Sequence, residues 1–449
     1  VTDILPNPTA FTSGLPWADA SGFNNGSMDD VAINQAISAL QRNTSTGHGI
    51  VYCPPGTYTF NNTVQPGNGI RIIGAGSGAT VFVANADLPC VNLQGFESEL
   101  SDVAVLGWRF GTLEALVVGA PAVRGRLIRV RASGGFNCVR DSGVDTYMQD
   151  CKFDEFYGNS AVHKDGGNCF YDRLELDCGF PHGMPALQTQ WQAWQPGTYG
   201  PGSIVKMTGP GGQTYLLQTQ NGGATGSQLP TIQPYGLPTI DGAVSWALVC
   251  NINARCLHVL DNAEQLIVSR CDMSAAGYYA GIWDEGSAQN LYHHNTIANQ
   301  TIGVYVLAGD GDQFTDNTIQ QGIRGANNLT YGILFQNTAG GSHGVGGNLI
   351  YGYDEGVYLN GANAGAGTVI HDNRIFSCGE ALRSVSGVGG FTFSNNKCGA
   401  SSRFGANSVA ARVDGGGSNI TMMGNDGRGS GAPSINQSGS NNIFTPNNW

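Results

Sequence analysis

Four short stretches of this chain end on a carboxylate just past a strand-like run. They are Val139-Arg140-Asp141, Val162-His163-Lys164-Asp165, Val259-Leu260-Asp261 and Ile282-Trp283-Asp284-Glu285. Paired carboxyl groups are the machinery of glycoside hydrolysis: one protonates the leaving oxygen, and the other attacks or activates water. They stand about 5 to 5.5 Å apart in retaining enzymes and about 6.5 to 9.5 Å apart in inverting ones. Stacked like charges also raise a pKa, as an acid catalyst requires. Asp284 and Glu285 are the best pair, because two adjacent acids beside Trp283 exceed what a turn needs. Asp is also a common turn residue, since its side chain bonds its own backbone. The candidate catalytic residues are therefore Asp284, Glu285, Asp261, Asp165 and Asp141, each weighed against a role in a turn.

Other residues suit a different chemistry. A lyase needs a base that takes the proton α to a uronate carboxylate, and a cation that neutralises that carboxylate. His163 and Lys164, with Arg140 or Arg173, could supply them. Trp283 could hold a sugar ring, and His293 could assist the acids. His293-His294 makes a weak metal site, because adjacent strand residues face opposite ways. Asp310-Gly311-Asp312 and Asp354-Glu355 read as turn residues or a weak Ca2+ site. No cofactor and no resident metal is expected.

These residues sit on an imperfect repeat of 22 to 31 residues. One element is Gly followed by alternating apolar residues: Gly281-Ile282-Trp283, Gly303-Val304-Tyr305-Val306, Gly332-Ile333-Leu334-Phe335 and Gly356-Val357-Tyr358-Leu359. A second element is Asn with an apolar residue two positions on, at Asn295, Asn317, Asn348 and Asn373, with Asn396 continuing the column. Two interleaved elements keeping nearly one step mean one structural unit repeated, which is the signature of a solenoid. Short β-rich runs broken by Gly, Asn and Asp make it a β-solenoid. Equivalent residues on neighbouring coils would then lie about 4.8 Å apart. The Asn column reads as a ladder of stacked side chains at a tight corner.

Composition agrees. Glycine supplies 68 of 449 residues, about twice the usual share of roughly 7%. The net charge is -12 and no basic cluster is present, which argues against a nucleic-acid partner. No run of apolar residues is long enough to span a membrane. The 11 cysteines follow no metal-ligand spacing. They read mainly as small inward-facing residues, with one or two disulfides among Cys138, Cys151, Cys169 and Cys178 as the alternative.

Asp29 or Asp30 is a plausible cap for an amphipathic helix in which Val31, Ile33, Ala36, Ile37 and Leu40 have helical spacing, ending near Asn43. Gly49-Ile50-Val51-Tyr52-Cys53-Pro54-Pro55-Gly56-Thr57-Tyr58 follows as strand, turn and strand. The Asp29-to-Ile37 helix and this Pro-Pro-Gly turn resemble the start of pectate-lyase-like right-handed parallel β-helix proteins, a superfamily with phage tailspikes and exopolysaccharide-degrading enzymes. One departure is Asn25-Gly26-Ser27, where Gly-Asp-Gly is usual. The resemblance implies an all-β, right-handed parallel β-helix whose N-terminal helix caps the open strand edge. It also implies a polysaccharide substrate, an extracellular or virion-associated setting and a homotrimer.

The expected organisation is an arm and capping helix over 1–48, solenoid over 49–184, an inserted β-module over 185–249, solenoid over 250–398, and a C-terminal cap or oligomer contact over 399–449. The order of Trp194-Gln195-Pro196-Gly197-Thr198-Tyr199 and later residues is similar to compact carbohydrate-binding modules. Trp191, Trp194, Tyr199 or Trp246 would then form a sugar platform, or else the core of a small module. The leading functional expectation is hydrolysis of a bacterial exopolysaccharide or similar glycan by paired carboxylates. A polysaccharide lyase, a non-catalytic glycan-binding tailspike or adhesin, and an epimerase are the alternatives.

Overall fold

The computed structural model describes residues 4–5, 16–43, 47–177, 191–209, 212–233, 237–274, 279–298, 301–321, 330–400, 405–444 and 447–449. The chain divides into two compact units, one of residues 1–179 with 192–252, the other of residues 180–191 with 253–449.

The first unit opens with helix α1, Asp30–Asn43. Asp29 caps it, its Oδ1 accepting from the Ala32 amide at 2.8 Å. Ala32, Ile33, Ala36, Ile37 and Leu40 are buried, whereas Val31, expected in the apolar stripe, is exposed. Three parallel ladders then build the coils. The first face carries Gly49–Cys53, Ile70–Gly74, Glu99–Ser101, Arg126–Ile128, Tyr147–Gln149 and Phe170–Asp172. The second carries Gly56–Phe60, Thr80–Ala84, Ala104–Leu106, Arg131–Ser133, Lys152–Asp154 and Glu175–Leu176. The third carries Val91–Leu93, Leu116–Val118, Val139–Asp141 and Ser160–Lys164.

The inserted module of this unit is a five-stranded sheet that includes Ile204–Thr208, Thr214–Thr219 and Val244–Asn251. Its core is Val205, Met207, Tyr215, Leu217, Ile232, Val244, Trp246 and Leu248, and it shares Tyr157 of the coils. The Tyr215 hydroxyl donates to the Tyr157 carbonyl at 2.7 Å, and Asn251 Nδ2 donates to the Gly158 carbonyl at 2.7 Å.

In the second unit all three ladders continue in parallel, each coil running from third face to first to second. The segment 399–449, expected as a C-terminal cap or oligomer contact, carries Arg412–Val413, Thr421–Met423, Ser434–Ile435 and Ile443–Phe444 as further rungs. The corner between first and second faces takes only two residues, the first in the left-handed region at His294, Asp316, Gly347, Asp372, Asn395 and Gly424. The second is the Asn ladder. Each Nδ2 donates to the next coil's Oδ1, linking Asn295, Asn317, Asn348, Asn373, Asn396, Asn425 and Asn447. Each of these Nδ2 groups also donates to a backbone carbonyl, as Asn348 does to Phe314 at 2.8 Å. Asn348→Ala would leave several buried groups unpaired, at a cost on the order of 3 kcal/mol, read as a lower urea midpoint at unchanged m-value.

The nine described free cysteines are all buried, the inward-facing role expected of most of them. Cys138, Cys151 and Cys169 bond backbone carbonyls rather than one another, while Cys178 lies outside the described residues. Among the described residues no helix is long and apolar enough to cross a membrane.

Candidate functional site

The repeated glycine shapes the outer face of the second unit's third ladder. A Cβ on Gly303, Gly332 or Gly356 would meet the Cγ2 of Ile319, Ile350 or Ile375 at 2.4, 2.5 and 2.5 Å. Those isoleucines are core residues, so the glycines face inward. Val304, Ile333 and Val357, which follow them, are buried inside as well. Two successive inward residues turn the positions on either side of them outward, three residues apart. One outward row is therefore Arg255, Ala280, Ile302, Tyr331, Glu355 and Glu380. The other is His258, Trp283, Tyr305, Leu334, Tyr358, Arg383 and Arg412.

Side chains from the two rows meet. At one end Glu355 and Glu380 stand opposite each other on neighbouring coils. Arg383 Nη1 lies 2.9 Å from Glu355 Oε1, and its Nε lies 3.8 Å from Glu380 Oε2. Arg412 reaches Glu380 Oε1 at 3.3 Å and Asp414 at 2.7 Å. The Tyr331 and Tyr358 rings stack at 5.2 Å with 12° between planes, and Arg383 lies 5.3 Å from the Tyr358 centroid. Burial pushes the Glu355 carboxyl up to about 8; the Arg383 guanidinium opposes that shift and the Glu380 carboxyl adds to it.

Toward the other end Arg255 lies 3.9 Å over the Trp283 ring, which stacks on Tyr279 at 4.7 Å and meets Tyr305 edge-on at 4.3 Å. Glu285 Oε1 is 3.0 Å from His258 Nε2 and 3.9 Å from Arg255 Nη1. Burial lowers the Arg255 pKa while Glu285 supports its charge. Among the described residues three buried polar atoms of this face, Trp283 Nε1, Arg255 Nε and Glu355 Oε2, have no hydrogen-bond partner, and Glu380 Oε2 and Arg383 Nε make only their 3.8 Å ion pair. Unpaired buried polar atoms are uncommon in native folds, and a polar ligand laid along this face would satisfy them.

The residues expected from sequence are distributed unevenly. Glu285 and Trp283 belong to this face. Asp261, exposed in the turn after Arg255–Val259, has its Cβ 3.2 Å from where a Gly286 Cβ would stand. Asp284 faces the opposite way and is sealed in the interior, accepting from the Tyr292 hydroxyl at 2.8 Å and Asn290 Nδ2 at 3.3 Å. It is closed off from the face that carries Glu285, so the two acids expected as a pair point to opposite sides of the ladder. His293 lies on the first face, its ring 2.8 Å from His294, and not on the face with Glu285.

The other candidates are in the first unit. Asp141 is fully buried, accepting from the Tyr171 hydroxyl at 2.6 Å, with Lys164 Nζ at 3.4 Å, itself fully buried. Neither is accessible to a polymer, which removes both from the site. In register Asp141 stands opposite Lys164, not Asp165, so the two aspartates occupy different rows. Asp165 is held by Arg140 at 2.6 Å. His163, in register with Arg140, faces away from the buried Lys164. Trp194 donates from Nε1 to Asp241 at 2.8 Å, and Trp246, fully buried, donates to the same carboxylate. These rings are tied into the module core rather than offered as a sugar platform.

The sequence alone suggests turn residues or a weak Ca2+ site for Asp354 and Glu355. Asp354 sits at a bend and accepts from the Thr330 amide on the preceding coil at 2.9 Å, whereas Glu355 lies on the ladder. Glu380, Arg383, Arg255, His258, Tyr331 and Tyr358 were not anticipated. The signal that could have found the first row is its position immediately before the repeated glycine. Among the described residues no group of three or more His, Cys, Asp or Glu side chains is arranged to hold a metal ion.

Residues 20–102 match the family described as rhamnogalacturonase A/epimerase, pectate lyase-like. The chain has the pectate-lyase-like parallel β-solenoid fold. It is similar in structure to the Dettilon tailspike protein, with 14% identity, a TM-score of 0.54, and coverage of 93% of this chain and 68% of that one. It is also similar to a mutant DFA-IIIase from Arthrobacter chlorophenolicus A6 in complex with DFA-III, with 11% identity, a TM-score of 0.51, and coverage of 92% and 95%. No curated protein matches it by sequence.

Proposed function

We propose that this chain hydrolyses glycosidic bonds of a bacterial exopolysaccharide or similar glycan along the outer third face of its second unit. The observation that carries the reading is Glu355, a carboxyl group raised to about 8 by burial and facing a second carboxyl, Glu380, on the next coil. Glu355 is the acid that protonates the leaving oxygen. Glu380, in contact with Arg383 and Arg412, supplies the carboxylate that attacks the anomeric carbon or activates water. Neighbouring coils stand about 4.8 Å apart, nearer the separation of retaining enzymes, about 5 to 5.5 Å, than that of inverting ones. The Tyr331–Tyr358 stack is an apolar platform for a sugar ring. Trp283, Arg255, His258 and Glu285 extend the binding face along the polymer, and Asp261 flanks it. An extracellular or virion-associated setting and a homotrimer go with this reading.

The test is incubation with a panel of bacterial exopolysaccharides and plant glycans, following reducing ends and the ultraviolet absorbance of unsaturated uronates together. Reducing ends without absorbance support hydrolysis. Both signals rising would mean β-elimination and overturn the assignment. Silence on every substrate, with binding retained, would favour a glycan-binding fibre module.

The pH dependence follows from Glu355. As the acid it must hold its proton, so turnover falls as pH rises through about 8. Its folded pKa lies above the unfolded value of about 4.3. The folded chain therefore retains a proton that the unfolded chain releases. The stability associated with that proton is complete below about pH 4.3, declines as pH rises, and is gone above the folded value. In Glu355→Gln both the alkaline limb of the rate profile and this slope in urea midpoint with pH disappear.

A further inference from the structure

A second cavity lies in the first unit, on the outer side of its second face. Val83, Ala84, Leu106, Gly107, Trp108, Arg109, Ser133, Gly134, Glu155 and Tyr157 line a space of about 440 Å³. Three features make it more than a crease. Leu106 and Trp108 are exposed within it, at 40% and 39%, forming an uncovered apolar surface. The Glu155 carboxylate and the Arg109 guanidinium both line the cavity and are exposed. Gly107 and Gly134, on adjacent coils, are packed so closely that a Cβ on Gly134 would stand 2.9 Å from the Gly107 carbonyl, and both line the cavity without a side chain to fill it.

One wall is fixed by the inserted module. The Tyr157 ring packs in the module's core, and its carbonyl accepts from the Tyr215 hydroxyl. Phe110, two residues past Trp108, lies 4.5 Å from Tyr157 with the rings tilted by 48°, and meets Tyr215 edge-on at 5.8 Å. The module's own aromatics are consumed in its core, so its effect on the surface is to hold the segment that presents Trp108.

We propose that this cavity binds one unit of a neutral sugar, and that the module serves glycan recognition by bracing this pocket rather than by touching sugar itself. An indole face against the apolar side of a pyranose, with a carboxylate and a guanidinium reaching adjacent hydroxyls, is the chemistry of sugar recognition. A neutral sugar fits because the two charged groups lining the cavity, Glu155 and Arg109, are of opposite sign. The pocket is separate from the Glu355–Glu380 pair and does not depend on it.

The experiment is saturation-transfer NMR on the full chain with glucose, galactose, mannose, fructose and glucuronate as probes. The expected result is transfer to at least one neutral sugar and none to glucuronate. In a Tyr331→Ala/Tyr358→Ala background, which removes the sugar platform of the third face, Trp108→Ala and Glu155→Gln each reduce the transfer at least tenfold. Trp108 is exposed and Glu155→Gln is isosteric, so thermal unfolding of both variants should match the parent. No transfer to any neutral sugar, preferential transfer to glucuronate, or transfer that survives both pocket substitutions overturns the proposal.

Discussion

Glu380→Gln is expected to lower kcat by roughly 10² to 10⁴-fold, the usual contribution of one general acid–base group, with little change in KM and no change in thermal midpoint. The substitution keeps the size and hydrogen-bonding reach of the side chain, so Arg383 and Arg412 retain a partner. What it removes is the negative charge opposite Glu355 that the reaction requires. Glu355→Gln should cost a similar factor, but with a different signature. Its loss is smallest on substrates with good leaving groups, which need little protonation. The double substitution should cost far less than the product of the two single losses, because residues that act as one unit are not additive. If each single variant retained near-parental kcat, the pair would be an ion-pair network within the ladder and nothing more.

The second large effect is on stability. Lys164→Met should destabilise the chain by about 3 to 5 kcal/mol, because it strips a fully buried carboxylate of its cation. Asp141 would keep the Tyr171 hydroxyl at 2.6 Å and the Thr146 hydroxyl at 3.1 Å, but its charge would be uncompensated. Asp141→Asn should cost a comparable amount for the mirror reason, leaving Lys164 charged with only the Asp141 and Gly143 carbonyls. Combining the two should recover a large part of the loss, since a buried pair replaced by neutral groups is often nearly neutral in free energy. Urea unfolding of the four species gives the coupling energy. Turnover per folded molecule should be unaffected in all of them, which separates this pair from catalysis.

The solenoid, the capping helix and the Asn ladder were legible because each depends on a local rule repeated many times. A glycine recurs where the ladder backbone of the second unit packs on an isoleucine of the next face, and an asparagine recurs at its two-residue corners from Asn295 on, whereas the matching corners of the first unit carry Val103, Val130, Cys151 and Leu174. The site was harder to see. Matching carboxylates by eye allows an error of one residue, and on a strand that error reverses the side chain. Asp141 falls in register with Lys164 and so does not share a row with Asp165, and Asp284 turned out to be the inward neighbour of Glu285. Glu355 and Glu380 were hidden for another reason. They lie 25 residues apart, and only the two successive inward residues that follow each of them, Gly356-Val357 and Ala381-Leu382, bring Glu355 beside Tyr358 and Glu380 beside Arg383. For the module's aromatics the sequence left a sugar platform and a core role open, and Trp246 and the partly buried Trp194 take the core role.

The most direct test of the account is a crystal structure of Glu380→Gln soaked with an oligosaccharide of the substrate found in the panel. The account predicts a saccharide along the outer third face of the second unit, one ring on Tyr331 or Tyr358, with a glycosidic oxygen within about 2.6 to 3.2 Å of the Glu355 carboxyl. A saccharide bound in order on the first or second face, with Glu355 and Glu380 untouched, would contradict it.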